Sequence, residues 1–457
     1  MKDNLFILSE KGQSLPILHE LRREGIPSAV YVHNLKFQST YKNIFPRTGL
    51  DDLVAALKKA DIIYSDIIIP NTKTSRDKAL LDKFNLSHNV PDLFGPICDV
   101  LRRPPWDKQV IGPGEEVAQL ELDRSKGIEF ARKCGFSIPP YKEFKDTRVA
   151  VKFLQSSEGQ KRENWYFKAD NNEALDLTFN GTPAQLIDFI SFKVPKRLGS
   201  TQVSCVLQQT IDGGDKAELD REIWKAPDGK LGPFSSTLED KKLHSRKSGP
   251  RVGSAVNTVW LDSDPALTIY KQIVVAAGLL RDYCGPISAN CIITPDLQAW
   301  FLEWTLRFGY SALFLLLRFI AKGKKGNFFL NPFQTTWLDG FVASQVLSLT
   351  PYPPTANNRQ DFADMIVGNL ISTPMTEPNF YWLDVLEDAM GVFRVAGNDG
   401  LIGVGLGHDA DMEKAIKKAY DKVDGIAITG NKQHWTFEEH LASHTDRYKK
   451  LLKWGAI

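Results

Sequence analysis

Long apolar runs are missing from these 457 residues. The most apolar windows, 312–321 and 273–280, fall well short of the ~18 residues that a membrane-spanning helix needs. Cysteine is scarce: the five (Cys98, Cys134, Cys205, Cys284 and Cys291) are scattered with no CxxC pair, which argues against a zinc site or a disulfide framework. An odd number of dispersed thiols suits a reducing compartment, so the expected location is the cytoplasm. Charge of one sign is lacking too, since 57 basic and 55 acidic residues leave a net +2. No general polyanion-binding surface follows, although a local basic patch that meets nucleic acid stays open. Met1-Lys2-Asp3-Asn4-Leu5 returns to polar residues too soon for a signal peptide. Internal repeats and low-complexity segments are absent.

The length calls for about three compact units. Over 1–105, strand-like runs at 4–8, 28–32 and 61–69 alternate with helical stretches at 12–24 and 50–59, the pattern of a small parallel sheet covered on both faces. Arg102-Arg103-Pro104-Pro105 is the expected linker, because consecutive prolines end regular structure. Beyond it, 115–135 has a helical period closed by Gly135. Strands are expected at 149–154, 165–169 and 204–209, and a helix at 183–192 capped by Thr182. Pro227-Asp228-Gly229-Lys230 reads as a hairpin turn between 218–224 and 231–235. A helix over 264–283 leads to strands at 288–293 and 299–304. The tail has a helix near 361–370, strands at 392–395, 401–406 and 426–429, and helices at 412–423 and 436–454.

The order of several segments is similar to that in the phosphoribosylamine–glycine ligases, a family of the ATP-grasp superfamily. Ile111-Gly112-Pro113, Ala118-Gln119-Leu120-Glu121, Ser125-Lys126 and Gly135-Phe136-Ser137-Ile138-Pro139-Pro140-Tyr141 resemble its GP…AAQLE-SK…IP-Y opening. That resemblance implies a phosphate contact for Lys126. Lys168-Ala169-Asp170 ends an apolar strand where the family keeps a second phosphate lysine. The family's glycine-rich phosphate loop does not follow, because residues 171–176 read Asn-Asn-Glu-Ala-Leu-Asp. Leu207-Gln208-Gln209-Thr210-Ile211-Asp212-Gly213 resembles the adenine hinge, which gives Gln208, Gln209 and Ile211 to the base and Asp215 with Glu218 to the ribose.

Asp240-Lys241-Lys242, then Ser248-Gly249-Pro250 and Gly253, resemble a substrate-binding loop. Lys247 and Arg251 replace an aspartate and an asparagine of the family, making the loop markedly basic and suited to a phosphate or carboxylate. Here Lys247, Ser248, Gly249 and Arg251 are implied to bind substrate, and Lys241 and Lys242 to act in catalysis. Phe301-Leu302-Glu303-Trp304-Thr305-Leu306-Arg307-Phe308-Gly309 resembles V-I-E-F-N-x-R-F-G. Glu303 and Thr305, the latter in place of asparagine, are the implied magnesium ligands, with manganese as a substitute. Arg307 would orient the reacting acyl phosphate. Gly403-Val404-Gly405-Leu406-Gly407-His408 resembles the family's C-terminal unit, with His408 read as a turn residue.

What the resemblance implies is an α/β (α+β) protein with the ATP-grasp fold. Its expected parts are a Rossmann-like N-terminal domain (1–105), an ATP-grasp domain (106–325, lid about 165–212) and a small C-terminal α/β domain (326–457). The implied activity is ATP- and magnesium-dependent ligation of a carboxylate, glycine or another amino acid, to an amine on a phosphorylated sugar or nucleotide, within purine biosynthesis. No membrane partner is expected. The alternative is a degenerate scaffold that binds a ligand or partner without turnover. The family's glycine-rich first loop is replaced by Leu8-Ser9-Glu10-Lys11-Gly12-Gln13-Ser14, which removes the feature that would bind the sugar phosphate.

Overall fold

The computed structural model describes residues 4–169, 177–198, 203–211, 214–244, 248–262, 268–320, 325–330, 335–350, 352, 359–398 and 400–457. Its N-terminal sheet is parallel: β1 (Leu5–Ser9), β2 (Ser28–Val32), β3 (Ile62–Ser65) and β4 (Gln109–Ile111) lie in the order β2-β1-β3-β4. β1 and β3 are buried along their whole length, as strands covered on both faces must be. β4 comes from beyond the double proline and pairs with β3 from Gln109 to Ile111. Three residues are too few to carry a strand period, so this edge was not legible in the sequence. After β1 the chain turns at Gly12, whose φ of +80° favours glycine, and enters the helix Leu15–Arg23.

A second sheet is antiparallel. β5 (Tyr141–Phe144), β6 (Trp165–Ala169), β7 (Thr178–Gly181) and β8 (Cys205–Gln209) lie in the order β5-β8-β6-β7. Trp165, Phe167, Leu186 and Leu207 fill its core. Thr182 caps the helix Pro183–Asp188 through a capping box with Gln185. The strand expected at 149–154 is instead part of the helix Thr147–Gln155. Asp146 caps that helix by accepting from the Arg148 N–H. Thr147, Ala150 and Leu154 are its buried residues, a three-and-four spacing that suits a helix and outweighs the β-branched composition.

The largest sheet holds β9 (Ala217–Lys225), β10 (Leu231–His244), β11 (Ser248–Leu261), β12 (Gly285–Ile293), β13 (Ala299–Thr305), β14 (Phe341–Leu349) and β15 (Phe380–Trp382). A ribbon of β16 (Val385–Glu387) and β17 (Phe393–Val395) precedes β18 (Leu401–Asp409) and β19 (Lys432–Gln433). The order in the large sheet is β13-β12-β9-β10-β11-β14-β18-β15, with β19 beside β14. The C-terminal strands thus continue the sheet that β9–β13 begin.

Three expectations change here. Much of the 240–251 stretch read as a loop is strand, because β10 and β11 run on to pair Lys242 with Arg251 and His244 with Ser248. His408 lies in β18 and not in a turn, with Nε2 2.8 Å from the Asp339 carbonyl oxygen. The strand expected at 426–429 is reduced to one bridge between Ile428 and Ile371.

Candidate active site

Alternation along β9 divides the large sheet into two chemically distinct faces. Leu219, Ile223, Leu238, Ile287 and Cys291 pack with the helices Thr268–Leu279 and Phe437–Trp454. The other face carries Glu218, Asp220 and Glu222 from β9 and Glu239 and Lys241 from β10. Ser288 and Asn290 from β12 and Glu303 and Thr305 from β13 complete it. The register is direct: Asp220 pairs with Asn290 and Thr237, Asn290 with Glu303, and Ser288 with Thr305.

Carboxylates dominate this face, and one ammonium stands among them. Lys241 Nζ lies 2.7 Å from Glu303, 3.4 Å from Glu239 and 3.8 Å from Glu218. Burial opposes its charge, but Glu303 first, then Glu239 and Glu218, outweigh that and hold its pKa well above the usual lysine range. The Lys241 ammonium, against the opposing effect of burial and with help from Arg124 and Lys168, holds Glu303 well below the carboxylate range. At its neighbours burial prevails: Lys241 offsets it only in part at Glu239, and at Glu222 only the Trp224 N–H opposes it. Burial pushes Glu239 up to about 7, and burial followed by the charge of Asp220 pushes Glu222 up to about 8.

Lys168 extends from β6 of the four-stranded antiparallel sheet to the Leu302 carbonyl, 3.2 Å away, and so reaches the residue before Glu303. Arg124 approaches Glu303 from the other side at 3.4 Å. Arg307 is held by Glu121, with Nε at 3.0 Å and the second nitrogen at 2.9 Å. The charges of Glu121 and then Glu303 keep its pKa raised in spite of burial. Lys168, Glu303 and Arg307 therefore meet in one electrostatic unit.

Lys126 does not join it. Its side chain is 56% exposed and lies 3.7 Å from Asp123, while Arg124, two residues earlier on the same helix, is the cation that faces Glu303. Glu218, assigned to a ribose, sits instead against Lys241 and accepts from Asn290 Nδ2 at 3.1 Å. Asp215 pairs with Lys450 at 3.5 Å, and the Ile211 carbonyl accepts from Lys216. Lys242 gives its carbonyl to Trp435 Nε1 at 2.8 Å. Gln208 is buried with Nε2 lacking a hydrogen bond, beside Gln209 at the end of β8. Lys247, Asp212 and Gly213 lie outside the described residues. For Ser248, Gly249 and Arg251 only the backbone, at the start of β11, is described. The sequence reading missed Arg124, Asp220, Glu239, Asn290 and Ser288. For the four strand residues the signal is period two in strands that meet Glu303, visible only once the strand order is known; Arg124 lies on the helix Arg124–Lys133 and neighbours Glu303 only in space.

A divalent ion suits this corner. Asn290 Oδ1 is buried without a hydrogen bond, opposite the Glu303 carboxylate and next to the Thr305 pair. An orphaned amide oxygen beside a carboxylate is a hard-oxygen donor set. Among the described residues no group of three or more His, Cys, Asp or Glu is arranged to hold a metal by itself. Water and nucleotide oxygens would then complete the shell, and the metal would compete with the Lys241 ammonium for Glu303.

Two expected results follow from these charges. Lys241→Met removes the counter-ion and is expected to cost about 2 kcal/mol, less than the loss of a fully buried partner, because 34% of the Glu303 side chain is exposed. Millimolar magnesium should restore part of that loss in the variant and change the parent little. Urea midpoints with and without magnesium check this. A variant as stable as the parent in both conditions contradicts it.

Glu222 works in the opposite direction with pH. Its folded pKa is raised to about 8 from 4.5, so between those values the folded state holds a proton that the unfolded state releases. Its stability contribution is intact below about pH 4.5 and is lost progressively as pH rises through about 8. Glu222→Gln should flatten the fall of the urea midpoint between pH 5 and pH 8, and equal slopes would refute the assignment.

The parallel N-terminal sheet, the four-stranded antiparallel sheet and the polar face of the large sheet together define the ATP-grasp fold. A phosphoribosylamine–glycine ligase of Thermotoga maritima superposes with a TM-score of 0.64 at 17% identity, covering 94% of this chain and 99% of that one. A Campylobacter jejuni biotin carboxylase gives 0.62 at 12% identity, covering 96% and 94%. In sequence the chain is similar, at low identity, to phosphoribosylamine–glycine ligases. The ligase of Clostridium acetobutylicum is 21% identical over 382 residues, 78% of this chain and 86% of that protein. The trifunctional purine biosynthetic protein adenosine-3 of Drosophila melanogaster is 22% identical over 342 residues, which is 70% of this chain but only 24% of the longer protein. No protein-family model matches the chain.

Proposed function

We propose that the protein is an ATP-dependent carboxylate–amine ligase that works through an acyl phosphate. The observation that carries this reading is the meeting of Lys168, Arg124 and Arg307 around Glu303, beside the orphaned Asn290 Oδ1. Phosphoryl transfer needs positioning and charge neutralisation more than covalent chemistry. Lys168 links the lid to the sheet and is placed to hold phosphate oxygens. Glu303 and Asn290, with Thr305 nearby, would hold magnesium, which when bound neutralises the charge of the transferring phosphoryl group. Arg307, fixed by Glu121, would steady the acyl phosphate while the amine attacks. The new C–N bond forms as the C–O bond to phosphate breaks, and phosphate leaves with the electron pair.

The names of the relatives make glycine and phosphoribosylamine the first substrates to try, and purine biosynthesis the first pathway. The altered basic residues Lys247 and Arg251 and the Tyr310 that follows Arg307-Phe308-Gly309 leave room for a different amine or amino acid. A second reading, a scaffold that binds without turnover, draws on Glu173 and Asp176, which stand where the family has a glycine-rich loop. ATP-dependent phosphate release, measured with glycine and a panel of amino acids and amines, separates the two. Release that requires both an acid and an amine supports the ligase. No release and no ATP binding supports the scaffold.

A further inference from the structure

The helix Thr268–Leu279 packs Ile273, Ala276 and Ala277, with Leu280 just beyond its end, against the apolar face of the large sheet. A surface helix of that kind ordinarily turns polar residues to solvent. This one does not. Val274, Val275 and Leu279 are 37%, 45% and 51% exposed. Gly278 lies among them, with nothing within 4 Å of where a Cβ would stand. A glycine there answers no contact within the chain, and it weakens a helix relative to alanine. Helices that are apolar all round are covered on both sides, and a contiguous apolar patch on a folded protein marks a contact with another molecule.

Charge frames the patch. Lys271 is exposed one turn before Val275, and Asp282 is exposed just past the last turn. The chain keeps its course on the way to Asp282, since the Leu280 N–H donates to the Ala276 carbonyl at 2.9 Å. Lys225, which feels the charge of Asp282, fixes this end by donating Nζ to the Leu280 and Arg281 carbonyls. Lys271, Val275, Gly278 and Asp282 follow one another at steps of four, three and four, the spacing of a seam between paired helices. The seam is self-complementary about the point between Ala276 and Ala277. Turned end for end, it sets Lys271 level with Asp282, Val275 with Gly278 and Val274 with Leu279. Base meets acid and bulk meets gap, each twice by symmetry, as a twofold contact between identical surfaces requires.

We propose that two copies of this chain pair through this face, helix antiparallel to helix, about a twofold axis at Ala276–Ala277. Gly278 lets the backbones approach and seats Val275 of the second copy. The net charge of +2 leaves little long-range repulsion between copies. One helix face falls short of the roughly 800 Å² per partner of a stable complex, so the dissociation constant is on the order of ten micromolar. The pairing does not depend on the ligase reading, because it uses the side of the sheet away from Glu303.

Sedimentation velocity on the full chain, from about 1 to 200 μM, should show a concentration-dependent dimer. Lys271→Glu alone and Asp282→Lys alone each set like charges against one another, and each should raise the dissociation constant at least about tenfold. An equal mixture of these two variants should pair as the parent does, because each then offers the charge the other needs. The variant carrying both changes should pair as well. Gly278→Leu fills the gap and should abolish pairing. All these positions face solvent, and a melting temperature equal to the parent's in dilute solution separates a lost dimer from a lost fold. A parent that stays monomeric throughout overturns the proposal and leaves the face to some other molecule. Single variants that pair like the parent, or a mixture that pairs no better than its parts, overturn it too.

Discussion

Glu303→Gln is expected to lower ATP-dependent turnover by about a hundred- to a thousandfold, the usual effect of deleting one preorganised electrostatic group. The glutamine keeps the shape and removes the charge. Three things are then weakened together: the negative partner of Lys241 at 2.7 Å, the partner of Arg124 at 3.4 Å, and the anionic charge of the oxygen opposite Asn290. Nucleotide affinity measured without a metal should change little, because Lys168 remains anchored by the Leu302 carbonyl. Affinity in magnesium should fall towards the metal-free value. Rates and nucleotide titrations, each with and without magnesium, check this. Turnover within a few-fold of the parent would mean that Glu303 is only the counter-ion of Lys241.

Asp262→Ala is expected to cost about 3–5 kcal/mol, the penalty for stripping the partner from a buried charge. Arg221 is wholly buried on the face of the sheet away from Glu303, and its guanidinium lies 3.0 Å from Asp262, whose own side chain is only 6% exposed. Asp262 also accepts from Trp260 Nε1 at 2.9 Å and the Tyr270 hydroxyl at 2.5 Å. The other arm of Arg221 donates to the Ala456 carbonyl at 2.9 Å, so the pair ties the end of the chain to β9. Arg221→Met combined with Asp262→Leu should recover most of the loss, because neither charge is then stranded. Chemical denaturation of the parent and the two variants gives the answer, and a single-variant loss below about 1 kcal/mol would place the pair among weak surface bridges.

Legibility in the sequence followed the range of the interactions. The hairpin turn at Asp228-Gly229, the Thr182 cap and strands such as 165–169 and 299–304 depend on near neighbours, and they could be read directly. The helix Thr147–Gln155 could not, since its valines and phenylalanine mimic a strand until the cap and the burial spacing are seen. Glu303 and Arg307 stood out through a short motif. Arg124, Glu239 and Asn290 belong to segments whose relevance comes only from lying beside that motif in space. The Glu121 that fixes Arg307 was in plain sight within Ala118-Gln119-Leu120-Glu121, with nothing local to connect residues 186 apart. Lys126 lies apart from Glu303 for the converse reason: a helix turns about 100° per residue, and a two-residue step from Arg124 moves a cation to a different side.

The pairing of β14 with β11, in register from Val256–Gln345 to Trp260–Phe341, has a mechanical consequence. A continuous ladder of hydrogen bonds resists shear, so the strands of the C-terminal region cannot swing against those bearing Glu303 and Lys241 without breaking it. Among the described residues the sheet β5–β8 shares no ladder with the large sheet; side chains join the two, with Val206 packed in the core of the large sheet and Lys168 reaching the Leu302 carbonyl. Any relative motion of the two sheets is therefore expected to repack side chains between them, while the laddered strands from β13 to β15 move as one stationary jaw.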